Sequence, residues 1–229
     1  FIAVRTEKKV ITLTSFNVGA GKTFIASNLS VSLAQADKKV VVVDLDLRKG
    51  TLSKKLGERK EKGVAHYLSN TSLKVDEIIQ KGRLGEGVDL IPIGVNAPNP
   101  VELLLSKRLD ELMNELKKRY DYVIIDSVPV GIVADTSIIN RVSDFTIFVV
   151  RAGKLDHRQL PELERLYQEQ KYTNLTVLLN GTLKNKRSYG YGYGYGYGYG
   201  YGYGEEEKKK TGDWWKKTMG DRICKILKK

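Results

Sequence analysis

Short apolar runs that end in glycine or in a polar or charged residue recur along the chain as far as Asn180. The run Val40 to Val43 is apolar without a break, which is typical of a strand that a parallel sheet buries on both faces. The same reasoning predicts six strands, at residues 9–15, 40–43, 88–93, 122–126, 146–150 and 175–180.

Segments with helical spacing of apolar residues lie between these strands. Asn99 is a possible N-cap, and Pro100 stands at the first position of the helix that follows. His66 falls in a short helical piece, where we expect it to be packed or exposed and not catalytic. The alternation predicts an α/β fold with a doubly wound, mostly parallel sheet and right-handed crossovers. The predicted helices are 22–35, 52–56, 75–79, 100–118, 135–142 and 159–170.

The link between the first strand and the first helix carries the strongest chemical signal. A glycine-containing turn leads into Gly21, Lys22 and Thr23, which is the order of a phosphate-binding loop of the P-loop type. Backbone amides at the helix N-terminus would cradle phosphate, Lys22 would supply charge, and the Thr23 hydroxyl would ligate Mg²⁺. Phe16 replaces the first consensus glycine, so a glycine turn that merely precedes a lysine stays the alternative. The predicted nucleotide contacts are Val18, Gly19, Ala20, Gly21, Lys22, Thr23 and Phe24.

Aspartates follow two of the later strands. Asp44 and Asp46 come at the end of the second predicted strand, and Asp126 ends the strand 122–126. Open α/β sheets bind ligands at the carboxyl ends of their strands, and strand alternation would place Asp44 and Asp46 on one side, about 6.5 Å apart. One of the pair would then face Mg²⁺ and the other a reacting hydroxyl, while Asp126 matches the Walker B position. The alternative is a set of exposed carboxylates that cap strands.

Composition narrows the possible classes of protein. The 229 residues suit one α/β domain with additional segments, and Cys224 is the single cysteine, so neither a disulfide nor a cysteine and histidine metal cluster is expected. The lack of disulfides favours a reducing cytoplasm. No apolar run reaches the length of a membrane span, and no signal segment opens the chain. Because the chain starts at Phe1, we expect an upstream part to be missing. The net charge of +12 predicts an acidic partner, with a solvated surface as the alternative.

The C-terminal part departs from this pattern. We divide the chain into a nucleotide-binding domain at 1–182, a repeat with a charged linker at 183–212 and a basic amphipathic segment at 213–229. Glycine at every second position disfavours a stable strand, so we expect a disordered tail with exposed phenols. The tail is a phosphate acceptor or an adhesive linker, and the last segment docks on an anionic membrane or a partner or is a frayed terminus. The candidate acceptors are Tyr189, Tyr191, Tyr193, Tyr195, Tyr197, Tyr199, Tyr201 and Tyr203.

Together these segments resemble the bacterial tyrosine kinases, or BY-kinases, that accompany capsule and exopolysaccharide export. The matching stretches are 15–24, 43–50, 99–104 and 120–129 and the tyrosine-rich C-terminus. The resemblance implies a tyrosine kinase that uses ATP and Mg²⁺ and phosphorylates its own tail. It also implies that Lys22 contacts the β- and γ-phosphates and that Asp44 is the base toward tyrosine. The implied ligands of Mg²⁺, direct or through water, are Thr23, Asp46 and Asp126, and the implied adenine contact is Asn180.

The same resemblance implies where the protein works and with what. It implies a domain at the inner face of the bacterial membrane, with a transmembrane polysaccharide co-polymerase or activator region upstream or separate. Self-association in trans and a cognate tyrosine phosphatase are expected, and no nucleic acid is. Val18 stands where the family commonly has proline, and Ser127-Val128 replaces a usual Thr-Pro. The family's arginine-containing helix before the first strand is mostly absent, which puts ring-type self-association of this chain in doubt.

Two alternatives of other classes stay open. A partitioning-type ATPase that dimerises with ATP would share the loop and both aspartate-ended strands, and it could use the positive charge to bind DNA. Such proteins usually carry a further lysine early in the loop, where this chain has Ser15, Phe16 and Asn17. A non-catalytic regulator of polysaccharide assembly would bind nucleotide and use the tail as an adhesive.

Overall fold

Seven strands form one sheet in the structure, a computed structural model that describes residues 8–57, 62–130 and 135–182. The sheet order is β3-β4-β2-β5-β1-β6-β7, and all neighbours are parallel except the antiparallel pair of β3 and β4. This confirms the mostly parallel sheet. The strands are β1 Val10–Thr14, β2 Val40–Asp44, β3 Gln80–Gly85, β4 Val88–Ile91, β5 Tyr122–Asp126, β6 Phe145–Arg151 and β7 Leu175–Asn180.

Helices cover both faces of this sheet. Within the described residues, short 3₁₀ turns at Val75–Glu77, Asn140–Val142 and His157–Gln159 accompany them. The α-helices are α1 Lys22–Ala34, α2 Thr51–Leu56, α3 Val64–Ser69, α4 Pro100–Leu105, α5 Lys107–Arg119, α6 Asp135–Ile139 and α7 Leu160–Gln168.

The alternation of side chains along β2 explains the two-sided core. Val41 and Val43 face an apolar cluster built with α3, α4 and α5, whereas Val40 and Val42 face a second cluster built with α1. All four valines are fully buried. A strand covered on both faces favours apolar side chains along its length, and in β2 the first charged residue is Asp44 at its end.

Helix α1 packs on the sheet mainly through small residues. Ala26, Ser27 and Ser30 are buried there, while the larger Ile25 and Leu29 are only half-buried. Small side chains let the helix backbone approach the sheet closely. The larger apolar residues, which the sequence predicts to face the sheet, lie beside this contact and stay partly exposed.

Four local features differ from what the sequence predicts. Strand β3 was not predicted, because among its residues only Leu84 is buried and the rest are polar or glycine. The helix predicted at 100–118 is broken at Ser106, whose backbone is extended, and forms α4 and α5. The predicted helical piece at 75–79 is a single 3₁₀ turn. Asn99 does precede α4, but its side chain bonds to Glu102 and does not cap the helix.

Some predictions fall beyond the described ranges. The tail segments 183–212 and 213–229 and all eight candidate acceptor tyrosines lie outside the described residues. Among the helices that the structure does describe, none combines the length and the apolar character that crossing a membrane requires.

Candidate active site

Two glycines shape the loop between β1 and α1. Gly19 and Gly21 have φ values of 76° and 103°, in the left-handed region that favours glycine. The loop thereby turns its backbone into the start of α1, where the Gly21 carbonyl accepts the amide of Ile25 at 2.9 Å. Amides at the N-terminus of a helix of this length are suited to bind phosphate.

The ends of β6 and β7 hold this loop from one side. The Asn180 side-chain amide donates to the Ala20 carbonyl at 2.9 Å, and Arg151 donates to the Gly19 carbonyl at 3.0 Å. A Cβ atom at Gly21 would lie 2.3 Å from Nδ2 of Asn180. Glycine is therefore required at position 21 both by its backbone conformation and by the close approach of Asn180.

The side chain of Lys22 is buried against the residues of the phosphate loop. It is 9% exposed, and its ammonium group donates to the Ser15 hydroxyl at 3.0 Å. Burial lowers the pKa of Lys22, and the carboxylates of Asp126 and Asp46 act in the opposite direction. A bound phosphate would supply the negative charge that a buried ammonium group favours.

Phe16 occupies the position of the missing consensus glycine. Its ring is buried and meets Phe148 edge-on at 4.7 Å, within a third apolar cluster that includes residues of α7. The departure from the consensus thus anchors the loop on β6.

Asp126, at the end of β5, is the central carboxylate of the site. One of its oxygens accepts the Thr23 hydroxyl at 2.6 Å, and the other is buried with no hydrogen-bond partner in the described part of the chain. Burial raises the pKa of Asp126, while Thr23 and Lys22 oppose that shift. A buried carboxylate oxygen without a partner is costly, and a cation would satisfy it.

This donor set fits Mg²⁺ better than a transition metal. In the part of the chain that the structure covers, no group of three or more His, Cys, Asp or Glu residues could hold a metal. Thr23, Asp46 and Asp126 instead provide one hydroxyl and two carboxylates, and Mg²⁺ is commonly held by one or two carboxylates together with substrate phosphates and waters.

Asp46 lies just beyond β2 and faces the pocket. It is 8% exposed and accepts hydrogen bonds from the Lys49 amide at 3.0 Å and the Thr51 hydroxyl at 3.3 Å. These bonds fix the turn into α2, which begins after Gly50.

Asp44 lies deeper than its neighbour Asp46. Its carboxylate is fully buried, does not line the pocket, and accepts the Ser53 amide at 2.9 Å and the Ser53 hydroxyl at 2.6 Å. Asp44 is also the register partner of Asp126 across β2 and β5. Burial and the charge of Asp126 raise the pKa of Asp44. Strand β2 ends at Asp44, so strand alternation does not extend to Asp46, and of the two carboxylates only that of Asp46 lines the cavity.

A cavity of about 600 Å³ lies at the carboxyl edge of the sheet, and most of the predicted site residues line it. Ala20 belongs to the phosphate loop but is buried and does not line the cavity, and neither does Asp44. Of the predicted residues, those that line the cavity are Val18, Gly19, Gly21, Lys22, Thr23, Phe24, Asp46, Asp126 and Asn180.

Cationic residues not singled out from the sequence also line the cavity. They are Arg48, Lys49, Lys55 and Arg151. Arg48 makes a two-point contact with Asp135 at 2.9 and 3.1 Å, and Asp135 is fully buried. The basic residues after Asp46 were visible in the sequence, but only the fold shows that they border the pocket. His66 lies elsewhere, accepting the Gly63 amide at 3.2 Å, and does not line the cavity.

Comparison with known proteins agrees with this geometry. A family model described as an AAA domain matches residues 8–177. Tyrosine-protein kinase YwqD of Bacillus subtilis is 34% identical over 199 residues, covering 83% of this chain and 80% of that protein. The chain belongs to the bacterial tyrosine-protein kinases. A putative tyrosine-protein kinase in the cps region of Klebsiella pneumoniae is 35% identical over 184 residues, but this chain spans only 25% of its length.

Solved structures support the assignment to the tyrosine-protein kinases. The kinase domain of Escherichia coli tyrosine kinase ETK superposes with a TM-score of 0.73 at 32% identity, covering 85% of this chain and 75% of that one. The septum site-determining protein MinD of Pyrococcus horikoshii, complexed with Mg-ADP, gives a TM-score of 0.59 at 24% identity, covering 75% and 70%. The second match shows a shared fold alone. The resemblance and the P-loop fold class expected from the sequence are confirmed.

Proposed function

We propose that this chain transfers the γ-phosphate of MgATP to tyrosine hydroxyls, its own eight repeat tyrosines among them. The observation that carries the proposal is Asp126, which accepts the Thr23 hydroxyl with one oxygen, while its other oxygen is buried with no partner among the described residues. That arrangement suits a nucleotide-bound cation, and the kinase family supplies the acceptor class.

Lys22 and the loop amides would bind the phosphates and neutralise the charge that develops on the transferred group. Thr23, Asp46 and Asp126 would hold Mg²⁺, directly or through water, which would supply further charge neutralisation when bound. Asn180, already fixed on the loop by its bond to Ala20, would contact the adenine.

The acceptor phenol needs a carboxylate that orients it or takes its proton. We propose Asp44 for this role, and its raised pKa suits proton transfer near neutral pH. Since Ser53 encloses the Asp44 carboxylate, the turn into α2 would have to move for a phenol to reach it. The alternative exchanges the two roles, because Asp46 already lines the pocket.

The alternative function is an ATP-driven dimerisation switch, which would use the same phosphate loop and aspartate-ended strands. Two features of the loop speak against it. Ser15 and Phe16 are buried and engaged with Lys22 and Phe148, at positions where such switches usually have an additional lysine. A non-catalytic regulator that binds Mg²⁺-nucleotide would use the same carboxylate, so phosphotyrosine formation is what distinguishes the kinase from it.

For the whole protein we propose a role in capsule or exopolysaccharide synthesis at the inner face of the membrane. The name of the Klebsiella relative refers to a cps region, and that protein is about four times as long as the matched segment. The additional length leaves room for a membrane-bound activator region, and we also propose self-association in trans and a cognate tyrosine phosphatase as partners.

Mass spectrometry of the peptide that contains the repeat, after incubation of the full chain with MgATP, tests the proposal. We expect phosphotyrosine in the native protein and none in Lys22→Met. An unmodified repeat in both proteins, together with DNA-stimulated ATP hydrolysis by the native one, would favour the dimerisation switch instead.

A further inference from the structure

The cavity has two chemically different sides. Strand β5 lies between β1 and β2 in the sheet, so the phosphate loop after β1 and the helix α2 after β2 border the cavity from opposite sides. The backbone amides and Asn180 are on the loop side. The nucleotide therefore belongs there, and the α2 side is left for the acceptor segment.

Two lysines on the α2 side of the cavity make no ion pair with the residues that the structure describes. Lys49 and Lys55 are exposed, both line the cavity, and neither ammonium group has a hydrogen bond or ion pair within the described residues. Arg48, between Asp46 and Lys49, is instead occupied by Asp135. The cavity lining holds five basic side chains against the two carboxylates of Asp46 and Asp126, so it keeps an excess of positive charge even though Lys55 also acts on Asp126 from beyond ion-pair distance.

The charged residues nearest to the repeat differ in sign at its two ends. Lys184, Lys186 and Arg187 precede Tyr189, whereas Glu205, Glu206 and Glu207 directly follow the last Tyr-Gly unit and separate it from the lysines 208–210. A basic site would therefore repel the beginning of the repeat and attract its end.

We infer that Lys49 and Lys55 form a subsite for negatively charged neighbours of the acceptor tyrosine, carboxylates at first and phosphotyrosine later. Phosphorylation then begins at Tyr203 and Tyr201, beside the glutamates, and proceeds toward Tyr189. The inference rests on the proposed kinase function and adds to it a substrate class, tyrosine in an acidic or already phosphorylated context.

The spacing of the repeat makes this relay physically reasonable. In extended backbone, tyrosines two residues apart lie on one side at about 6.8 Å. That separation is shorter than the screening length of about 8 Å at physiological ionic strength. Each new phosphate adds about −1.5 to −2 charges. A phosphate on one tyrosine is thus close enough to contact the subsite while the next phenol enters the cavity.

In each transfer, the bond between the γ-phosphorus and the bridging oxygen of ATP breaks as the phenol oxygen bonds to that phosphorus. ADP leaves with the bridging electrons, and the phenol proton goes to a site carboxylate or to water. The subsite changes only which tyrosine is presented.

Three peptides supplied to the full chain test the inference. Each has two Tyr-Gly units, followed by three glutamates, by three glutamines, or by glutamines with the second tyrosine already phosphorylated. We expect kcat/KM to be about five-fold higher for the glutamate peptide than for the glutamine peptide at low salt, as two partly screened ion pairs allow. The phosphorylated peptide should match or exceed the glutamate peptide, and high salt should remove the difference.

The variant Lys49→Ala/Lys55→Ala should bring the three rates close together, whatever its absolute rate. The matched control Lys38→Ala/Lys39→Ala removes the same charge from exposed residues at the opposite edge of the sheet and should keep the preference. In a time course on the native chain, Tyr203 and Tyr201 should be modified before Tyr189, and Glu205→Gln/Glu206→Gln/Glu207→Gln should abolish this order.

Equal rates on the three peptides in the native chain, or modification that starts at Tyr189, would overturn the subsite while leaving the kinase activity in place. Absence of phosphate transfer to any peptide and to the repeat would overturn the proposed function as well.

Discussion

Replacement of Gly21 by alanine perturbs the contact between the phosphate loop and β7. The new Cβ would lie 2.3 Å from Nδ2 of Asn180, and the residue would have to keep a φ of 103°. The Asn180 side chain can rotate away, but it then loses its bond to the Ala20 carbonyl.

The cost can be estimated from these two terms. A left-handed conformation costs an L-residue about 1 to 2 kcal/mol. Loss of the Asn180 hydrogen bond adds about 1 kcal/mol. We therefore expect Gly21→Ala to lower the free energy of unfolding by about 2 to 3 kcal/mol and Asn180→Ala alone by about 1 kcal/mol. Because the collision is absent when Asn180 is already alanine, the double variant should be about 1 kcal/mol more stable than the sum predicts.

Urea denaturation without nucleotide measures all three variants. Gly57→Ala is the matched control, since Gly57 also has a left-handed φ of 80° but a Cβ there meets nothing within 4 Å. Gly57→Ala should lower the free energy of unfolding only by the cost of the left-handed backbone conformation, about 1 to 2 kcal/mol. If Gly21→Ala costs no more than Gly57→Ala, or if the effects of Gly21→Ala and Asn180→Ala simply add, the close contact has no energetic role and the reasoning is refuted.

Two further substitutions test the buried carboxylates. Asp126→Asn should stabilise the chelator-treated protein by about 1 to 3 kcal/mol at pH 7, because the pKa of Asp126 is raised in the folded state and its ionisation is unfavourable there. The same substitution should weaken the binding of Mg²⁺-nucleotide. Stability from a raised carboxyl pKa is present at low pH and lost as pH rises, so the advantage of Asp126→Asn should grow between about pH 4 and pH 7 in thermal melts, and a pH-independent difference would contradict this. Ser53→Ala should cost about 2 to 3 kcal/mol, since it removes a bond to Asp44 and leaves the Ile93 amide unpaired. Ser72→Ala, at an exposed position, serves as its control in urea denaturation, and equal losses would show that the Ser53 bonds contribute nothing.

Much of the sheet could be predicted because its central strands are buried on both faces. A run such as Val40 to Val43 has few alternatives to a parallel strand. Strand β3 could not be found in the same way, since it sits at the sheet edge with one buried side chain, Leu84. The break at Ser106 was not predicted, because the apolar residues Leu103 to Leu105 before it and Leu109 after it are compatible with one continuous helix.

The residues of the site also fall into those that the local sequence predicts and those whose position depends on the fold. Gly21, Lys22 and Thr23 follow a local pattern that alone predicts a phosphate loop. The burial of Asp44 involves Ser53, nine residues away on α2, and alternation along the strand contains no signal for that contact. The position of Lys49 and Lys55 at the cavity likewise depends on how α2 folds back over the sheet.

Two products of one reaction, ADP and phosphotyrosine, distinguish a tyrosine kinase from an ATP-hydrolysing switch. Native chain and Lys22→Met are each incubated with MgATP, and both products are quantified over the first turnovers, with and without DNA. We expect equal early amounts of ADP and phosphotyrosine in the native chain, no effect of DNA, and neither product above background in Lys22→Met. ADP that accumulates without phosphotyrosine would contradict the tyrosine kinase function.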